Sequence, residues 1–135
     1  MSAAYVDTSA VLRPVLERGL DTETERALSS ASILFTSRLT LVESARVLAR
    51  LRVERKATEV QLADANRQLE AFWSRCHIYE VTSAVCELAG RVAPHLTLRA
   101  LDALHLATWV LVRQRFDEVT LITADRRLRE AAGTH

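Results

Sequence analysis

The 135-residue chain has few of the residues that mark several classes of protein. Its two cysteines, Cys76 and Cys86, lack the paired spacing of a zinc site, which favours reduced, buried thiols in a cytoplasmic protein. No apolar run reaches the ~20 residues that a membrane helix needs. We expect no signal peptide either, because the first four residues lead directly into a strand. Three glycines and two prolines predict few and short loops.

The chain also has almost no excess of positive or negative charge. The net charge is +1, so no bulk electrostatic field draws the chain to nucleic acid. Lys56 is the one lysine among 18 basic residues. Arginine suits bidentate contact with phosphate, although GC-rich coding sequence favours arginine as well. Hydrophobic residues make up 49% of the chain and charged residues 26%, which predicts a single folded domain spanning residues 1–135.

Short apolar runs alternate with longer stretches of helical periodicity. Strands are predicted at 4–7, 33–36, 77–81 and 119–123, and the main helices at 37–55, from 58 onward, from 82 or 83 to before Pro94, at 102–115 and at 126–132. Pro14 predicts a kinked or late-starting first helix that Gly19 stops, and Asp21 is predicted to cap the second helix. Strands separated by helices pair in parallel, so the predicted fold is a three-layer α/β/α sandwich with a central parallel sheet.

Four acidic residues occur where ligands bind in such folds. Asp7 ends the first strand, Glu43 lies in the first turns of the helix after the second, Asp102 opens a late helix, and Asp125 follows the fourth strand. The ends of parallel strands and the starts of the following helices share one edge of the sheet. We therefore expect the four carboxylates to converge.

Each acid also has an ordinary structural explanation. Asp7 fits a turn with the hydroxyl residues that follow it. Thr40 and Glu43 fit a capping box, and Asp102 and Asp125 fit simple helix N-caps. Four converging acids nevertheless repel one another unless a cation offsets their charge. Oxygen ligands of this kind suit Mg²⁺ or Mn²⁺, which can activate water and stabilise a phosphoryl transition state.

Two other families with acids at strand ends lack their key residues here. Phosphatases of the haloacid dehalogenase type need a second aspartate two residues after the first, where this chain has Ser9. Response-regulator receivers need a lysine after a late strand, and Lys56 lies in the middle of the chain. No Walker motif or glycine fingerprint is present, which argues against nucleotide triphosphate chemistry.

Four local strings occur in a familiar order. They are VDTSA at 6–10, TLVE at 40–43, LDALHLAT at 101–108 and TADRRL at 123–128. In this order they resemble the PIN-domain ribonucleases and, among them, the VapC-type toxins of bacterial toxin–antitoxin pairs. The resemblance spans nearly the whole chain, and the third string is its most specific part.

The resemblance implies metal-dependent cleavage of single-stranded or loop RNA, such as loops of tRNA or rRNA, by water activated on Mg²⁺ or Mn²⁺. Asp7 and Asp102 are the first candidates for direct ligands, and Glu43 and Asp125 would bind directly, through water or by orienting the attacking water. Thr8 and Thr123 resemble hydroxyl positions that assist the acids. The resemblance also implies a cytoplasmic homodimer, silenced by a VapB-type antitoxin.

Other residues near the acidic edge have two interpretations each. His105 follows Asp102 by three residues on the same helical face, where it contacts substrate or packs in the core. Trp73 and Trp109 stack on bases or, as their helical spacing favours, lie in the core or a dimer interface. Four arginines near this edge are candidates for phosphate contacts or solvated surface: Arg38, Arg99, Arg126 and Arg127.

Two further functions remain open at this point. The chain would also fit a catalytically silent PIN-like module that binds a partner, although four acids argue against it. A metal-dependent DNA nuclease shares the chemistry, because nothing in the sequence shows how a 2′-hydroxyl is read.

Two surface features yield predictions of their own. The helices that begin near Ser9 and Ser37 carry more apolar residues than one face can bury, which predicts a groove for an antitoxin helix; these residues are Val15, Leu16, Leu48, Leu51 and Val53. If neighbouring acids raise the pKa of Glu43, a Glu43→Gln exchange leaves the metal-free fold as stable or more stable. Thr40→Ala, by contrast, would remove the helix cap.

Overall fold

The computed structural model describes residues 2–17, 19 and 22–135. Four strands alternate with helices along the chain: β1 (Ala3–Val6), β2 (Ile33–Ser37), β3 (Cys76–Tyr79) and β4 (Val119–Ile122). The helices are α1 (Thr8–Leu16), α2 (Thr22–Ser30), α3 (Arg38–Val53), α4 (Glu59–Arg75), α5 (Ser83–Ala89), α6 (Ala100–Arg115) and α7 (Arg126–Ala132).

All strand pairs in the sheet are parallel, in the order β3-β2-β1-β4. Val6 at the end of β1 lies opposite Ile122 at the end of β4. The backbone amide of Asp7 continues this pairing with a 3.3 Å hydrogen bond to the Ile122 carbonyl. The chain segments that leave β1 and β4 therefore start side by side at one edge of the sheet.

The two faces of the sheet carry separate hydrophobic clusters, because strand side chains alternate between faces. Tyr5 and Phe35 pack on one face with residues of α5, α6 and α7, including the fully buried Leu106. Val6 and Leu34 pack on the other face with residues of α1, α2 and α4. Helices thus cover both faces, and the predicted three-layer α/β/α sandwich is confirmed.

The first helix differs from its prediction. It begins at Thr8, directly after the strand, because the Asp7 carboxylate caps it by accepting a hydrogen bond from the Ala10 amide. Pro14 lies inside the helix, so the predicted late start is wrong. The helix ends at Leu16, before Gly19, whose φ of +82° is a left-handed conformation that glycine adopts without strain. The predicted cap at Asp21 lies outside the described residues.

The start of α3 also differs from its prediction. Ser37 ends β2 and caps α3, with its hydroxyl accepting from the Leu39 amide. Thr40 is buried inside the helix, where its hydroxyl accepts a 2.8 Å hydrogen bond from Thr36. The predicted capping box of Thr40 and Glu43 is therefore wrong. A capping box does form at the start of α4, between Thr58 and Gln61.

Remaining boundaries differ by a few residues. α6 begins at Ala100, so Asp102 lies in its first turn and is not its N-cap.

Cys76 is half-buried, and burial raises the pKa of its thiol to about 12. Cys86 is exposed, so the expectation of two buried thiols is wrong for this residue. Within 2–17, 19 and 22–135, no helix combines the length and apolar character needed to cross a membrane.

Candidate active site

Asp7 is the most deeply placed of the four acids, with 4% of its surface exposed. The Ser9 hydroxyl lies 2.8 Å from its Oδ1 and 3.0 Å from its Oδ2, and the Thr123 hydroxyl donates to Oδ2 at 2.7 Å. Burial raises the pKa of Asp7, and the hydrogen bonds from Thr123 and Ser9 only partly oppose that increase. This carboxylate is thus oriented by hydrogen-bond donors, while burial still disfavours its ionised form.

Thr123 connects Asp7 to Asp125. While its hydroxyl donates to Asp7, the same oxygen accepts a 2.9 Å hydrogen bond from the Asp125 amide. The Asp125 carboxylate caps α7 by accepting from the amides of Arg127 and Leu128. Both Asp7 and Asp125 are therefore N-caps as well as members of the acidic edge, so the two interpretations do not exclude each other.

Asp102 is connected to Asp125 through Arg99. The Arg99 Nε lies 3.2 Å from Asp102 Oδ2, and its Nη2 lies 3.9 Å from Asp125 Oδ2. The Arg99 side chain is 73% exposed, whereas the Asp102 side chain is 14% exposed. The long, solvent-exposed side chain of Arg99 thus places its positive charge beside two carboxylates that the fold holds in place.

Glu43 projects from the second turn of α3 toward α6 and α1. The Thr8 hydroxyl donates to its Oε1 at 2.5 Å, and His105 Nε2 lies 2.7 Å from the same oxygen. Burial by itself raises the pKa of Glu43, but the hydrogen bonds from His105 and Thr8 outweigh it, so the pKa lies below its usual range. The expected increase from neighbouring acids is wrong.

The edge therefore carries two connected groups of polar side chains. One contains Asp7, Asp125 and Asp102, joined through Thr123 and Arg99. The other joins Glu43 to Thr8 and His105. Asp7, Glu43 and Asp125 lie where β1, β2 and β4 end or early in the helices that follow them, whereas Asp102 and His105 lie on α6, which follows α5. The contacts join the four carboxylates as two groups, so their convergence on one point stays a prediction.

The donor chemistry of this edge fits a hard divalent cation. Carboxylate and hydroxyl oxygens are the ligands that Mg²⁺ and Mn²⁺ prefer. A cation would favour the ionised form of the buried Asp7, which burial disfavours. Across the described parts of the chain, no three Asp, Glu, His or Cys side chains are already gathered around one point as a metal site. Instead, Arg99 contacts the carboxylate of Asp102, and His105 contacts that of Glu43.

The four arginines predicted near this edge differ in their surroundings. Arg38 forms a bidentate ion pair with Glu80, at 3.0 and 2.6 Å. Arg99 contacts the acids themselves. Arg126 lies 3.4 Å from Glu130, and Arg127 lines a cleft of about 190 Å³ beside residues 96–98. Arg99, Arg126 and Arg127 flank the acidic edge, and Arg38 begins α3.

Ser9 and Tyr5 were not assigned to the site from sequence, and His105 was given two interpretations. The Ser9 hydroxyl donates to the Asp7 carboxylate and accepts a 2.9 Å hydrogen bond from the Ala124 amide. His105 is 2% exposed, so its packed interpretation is correct, yet it packs directly on Glu43. Tyr5 of β1 contacts His105. The sequence signals were the hydroxyl two residues after Asp7 and the i,i+3 spacing of Asp102 and His105.

The tryptophans lie in the core, as their spacing favoured. Trp109 is 7% exposed, and its indole N–H donates to the Val119 carbonyl at 3.0 Å. Arg113 covers its ring at 4.2 Å. Trp73 packs on the second hydrophobic cluster beside Phe72. Neither ring is placed as a base-stacking surface at the acidic edge.

Comparison with solved structures shows the same fold. VapC20 of Mycobacterium tuberculosis, described as a toxin that cleaves the sarcin–ricin loop, has a TM-score of 0.67 at 19% identity, over 96% of this chain and 95% of that chain. VapBC2 of Rickettsia felis, solved with a DNA fragment from its promoter, has a TM-score of 0.61 at 13% identity, over 91% and 99%.

Comparison at the sequence level is more specific. Two proteins from strains of Mycobacterium tuberculosis, named Ribonuclease VapC45 and Ribonuclease VapC49, are each 35% identical over 139 residues, which cover 98% of this chain and 90% of theirs. The PIN domain family model matches residues 4–134. The chain therefore belongs to the PIN-domain family, as the four sequence strings had indicated.

Proposed function

We propose that this chain is the ribonuclease toxin of a toxin–antitoxin pair and that it cleaves RNA with the help of Mg²⁺ or Mn²⁺. One observation supports the proposal: in a PIN-domain chain, the buried Asp7 is linked through Thr123 to Asp125, whose carboxylate shares Arg99 with that of Asp102. The ribonuclease names of its 35% identical relatives support RNA as the substrate.

Asp7 and Asp102 would hold the metal directly, with Glu43 and Asp125 acting directly or through water. When bound, the metal lowers the pKa of a water molecule and offsets negative charge on the phosphate. Ser9 and Thr123 orient Asp7 by donating to both of its oxygens. Thr8 orients Glu43 in the same manner.

The surface arginines would hold RNA phosphates around this acidic centre. Arg99 has the clearest route to that role, because its exposed guanidinium can leave Asp102 and Asp125 when a metal neutralises them. Arg126 and Arg127 are exposed at the start of α7, directly after Asp125. Arg38 would first have to exchange Glu80 for phosphate.

The proposal predicts a defined cleavage reaction. Purified protein should cut RNA in the presence of Mg²⁺ or Mn²⁺, stay inactive in EDTA, and leave 5′-phosphate ends, since water is the nucleophile. Sequencing of the RNA ends maps the cleavage site and provides a short substrate for kinetics. A DNA strand of the same sequence is the matched control.

Each alternative has its own outcome in that experiment. Folded protein that cuts neither strand with either metal would be a silent PIN-like binding module. Equal cleavage of DNA and RNA would make it a general metal-dependent nuclease. Cleavage in EDTA, or ends with a 2′,3′-cyclic phosphate, would replace metal-activated water with attack by the RNA 2′-hydroxyl.

An antitoxin is the partner that this function requires, and the fold offers grooves for one of its helices. Leu48 and Leu62 line a groove of about 300 Å³ between α3 and α4. A second groove of about 390 Å³ lies among α1, α2 and α4 and is lined by Val15 and Phe72. Each groove includes one residue of the predicted apolar set, Val15 or Leu48, and α4 supplies the facing wall in both.

The groove between α3 and α4 yields a direct prediction. Leu48→Glu should weaken or abolish co-purification with the cognate antitoxin, because it places a charge where an apolar helix face would dock. Val81→Glu, at an exposed apolar residue outside the groove, is the matched control. Size-exclusion chromatography with light scattering tests the proposed homodimer in both variants. Undiminished binding by Leu48→Glu would place the antitoxin elsewhere.

A further inference from the structure

The buried side chain of His105 contacts both Tyr5 on β1 and Glu43 at the acidic edge. His105 Nδ1 lies 2.8 Å from the Tyr5 hydroxyl, and its Nε2 lies 2.7 Å from Glu43 Oε1. His105 is 2% exposed and Tyr5 is fully buried. The three side chains come from α6, β1 and α3; α6 also carries Asp102, and β1 leads into Asp7.

The protons in this chain of contacts have one consistent arrangement. At neutral pH a tyrosine phenol carries its hydroxyl proton. When the imidazole is neutral, Tyr5 donates to Nδ1, and Nε2 carries the hydrogen that faces Glu43. In the imidazolium, Nε2 carries a hydrogen as well. In both states His105 donates to Glu43.

Both donors to Glu43 reach the same oxygen. Thr8 and His105 each contact Oε1, so together they fix the rotation of the carboxylate. A free glutamate side chain samples many rotamers, and ordering it costs conformational entropy. Because Thr8 and His105 already order the Glu43 side chain, this entropy is lost on folding and not when a ligand binds. Both donors contact Oε1, so Oε2 stays able to contact a metal or water.

We propose that His105 and Tyr5 are positioning residues that hold the Glu43 carboxylate in the orientation used for RNA cleavage. This inference rests on the proposed role of Glu43 in the active site. It assigns a function to a histidine whose burial alone would suggest only packing. It also gives β1 a second role, because the strand carries Tyr5 and leads directly into Asp7.

The test compares two replacements of His105. His105→Leu keeps an apolar volume but removes the donor, whereas His105→Gln keeps an N–H donor close to the position of Nε2. Tyr5→Phe removes the hydroxyl that contacts Nδ1 of the ring, while the Thr8 hydroxyl, 3.3 Å from Nε2, is kept. Each is made alone and together with Glu43→Gln. The readouts are kcat and KM on the mapped RNA, and Mn²⁺ affinity by calorimetry without RNA.

His105→Leu should lower kcat, and weaken Mn²⁺ binding, by roughly 10–100-fold, the effect typical of residues that orient metal ligands. KM should change little, since RNA contacts are untouched. His105→Gln should recover much of the loss, and Tyr5→Phe should show a smaller loss of the same sign. In the Glu43→Gln background, His105→Leu should add little, because the orienting contact has lost its target.

Several outcomes would overturn the inference. They are wild-type kcat and Mn²⁺ affinity in His105→Leu despite a changed melting temperature, equal losses in His105→Leu and His105→Gln, or losses that multiply with Glu43→Gln. If His105→Leu does not fold, His105→Gln and Tyr5→Phe decide the same question. Full activity of Glu43→Gln alone would instead refute the proposed role of Glu43, which is a separate failure.

Discussion

Asp7→Asn should abolish metal-dependent RNA cleavage while leaving the fold intact. The change removes the negative charge that a cation needs, at the acid with 4% of its surface exposed, where burial raises the pKa. A metal contributes several kcal/mol of transition-state stabilisation in such reactions. The cleavage rate should therefore fall by at least about 100-fold, since each 1.36 kcal/mol is a factor of ten.

The same variant should lose the stabilisation that metal provides. A ligand at a hundredfold excess over its Kd stabilises the folded state by about 2.7 kcal/mol, which for a domain of this size raises Tm by on the order of 10 °C. The wild-type chain should show such a shift with millimolar Mg²⁺ or Mn²⁺. Asp7→Asn should show little of it.

In EDTA the sign of the stability change follows from the pKa of Asp7. Its folded-state pKa is raised, so the ionised group disfavours folding once the pH exceeds its unfolded value. Asparagine removes that cost but no longer accepts from the Thr123 hydroxyl at the Oδ2 position. The two effects oppose each other, and metal-free Asp7→Asn should unfold at a temperature close to that of wild type.

Asp117→Asn is the matched control for this prediction. Asp117 is exposed and precedes β4, so it lies at the opposite edge of the sheet. Its replacement should change neither the cleavage rate nor the metal-induced shift in Tm. A shift in Tm of wild-type size in Asp7→Asn would show that the cation binds elsewhere, and the proposed ligand set would have to be abandoned.

The positions of the acids were predictable because they depend on topology. β1 ends at residue 6 and β4 at residue 122. Because the two strands are parallel neighbours, the segments that follow them begin at the same edge of the sheet. Periodicity gives the strands and helices, and parallel pairing gives their direction. Asp7 and Asp125 could therefore be placed together without knowledge of any side-chain contact.

Two local patterns gave wrong predictions, for different reasons. Thr40 and Glu43 fit the pattern of a capping box, but Glu43 is held by His105, 62 residues away in sequence, which no window of neighbouring residues shows. Thr40 is held by Thr36, and α1 is capped by Asp7 in spite of Pro14. Both of these partners are close in sequence, so here one local pattern was chosen over another that the fold uses.

The direction of the pKa change at Glu43 was also mistaken. The sequence places four acids together, and like charges raise one another's pKa. It cannot show that Glu43 faces a histidine and a hydroxyl, whose hydrogen bonds outweigh the effect of burial. The predicted effect of the Glu43→Gln exchange on stability therefore reverses.

Glu43→Gln should lower the stability of the metal-free protein at neutral pH. Because the folded-state pKa of Glu43 is depressed, its ionised form stabilises the fold at pH values above the unfolded pKa. Gln retains an oxygen that accepts from Thr8 and His105, but the bonds are no longer charge-assisted. The loss should be about 1 kcal/mol in the free energy of unfolding, measured by urea titration in EDTA.

The effect should depend on pH in a defined direction. As the pH falls through the unfolded and then the folded pKa of Glu43, the carboxylate becomes protonated and the wild-type advantage disappears. Glu70→Gln makes the same chemical change on an exposed surface of α4 and serves as the control. It should leave the free energy of unfolding nearly unchanged at every pH.

The cleavage reaction then separates a structural role of Glu43 from a catalytic one. Loss of the charge should also reduce RNA cleavage by roughly 100-fold, or about 2.7 kcal/mol of barrier, more than the stability change accounts for. A variant that is less stable yet fully active would mean that Glu43 only ties α3 to α6 through His105. The active site would then consist of Asp7, Asp102 and Asp125, because these three remain connected through Thr123 and Arg99 without Glu43.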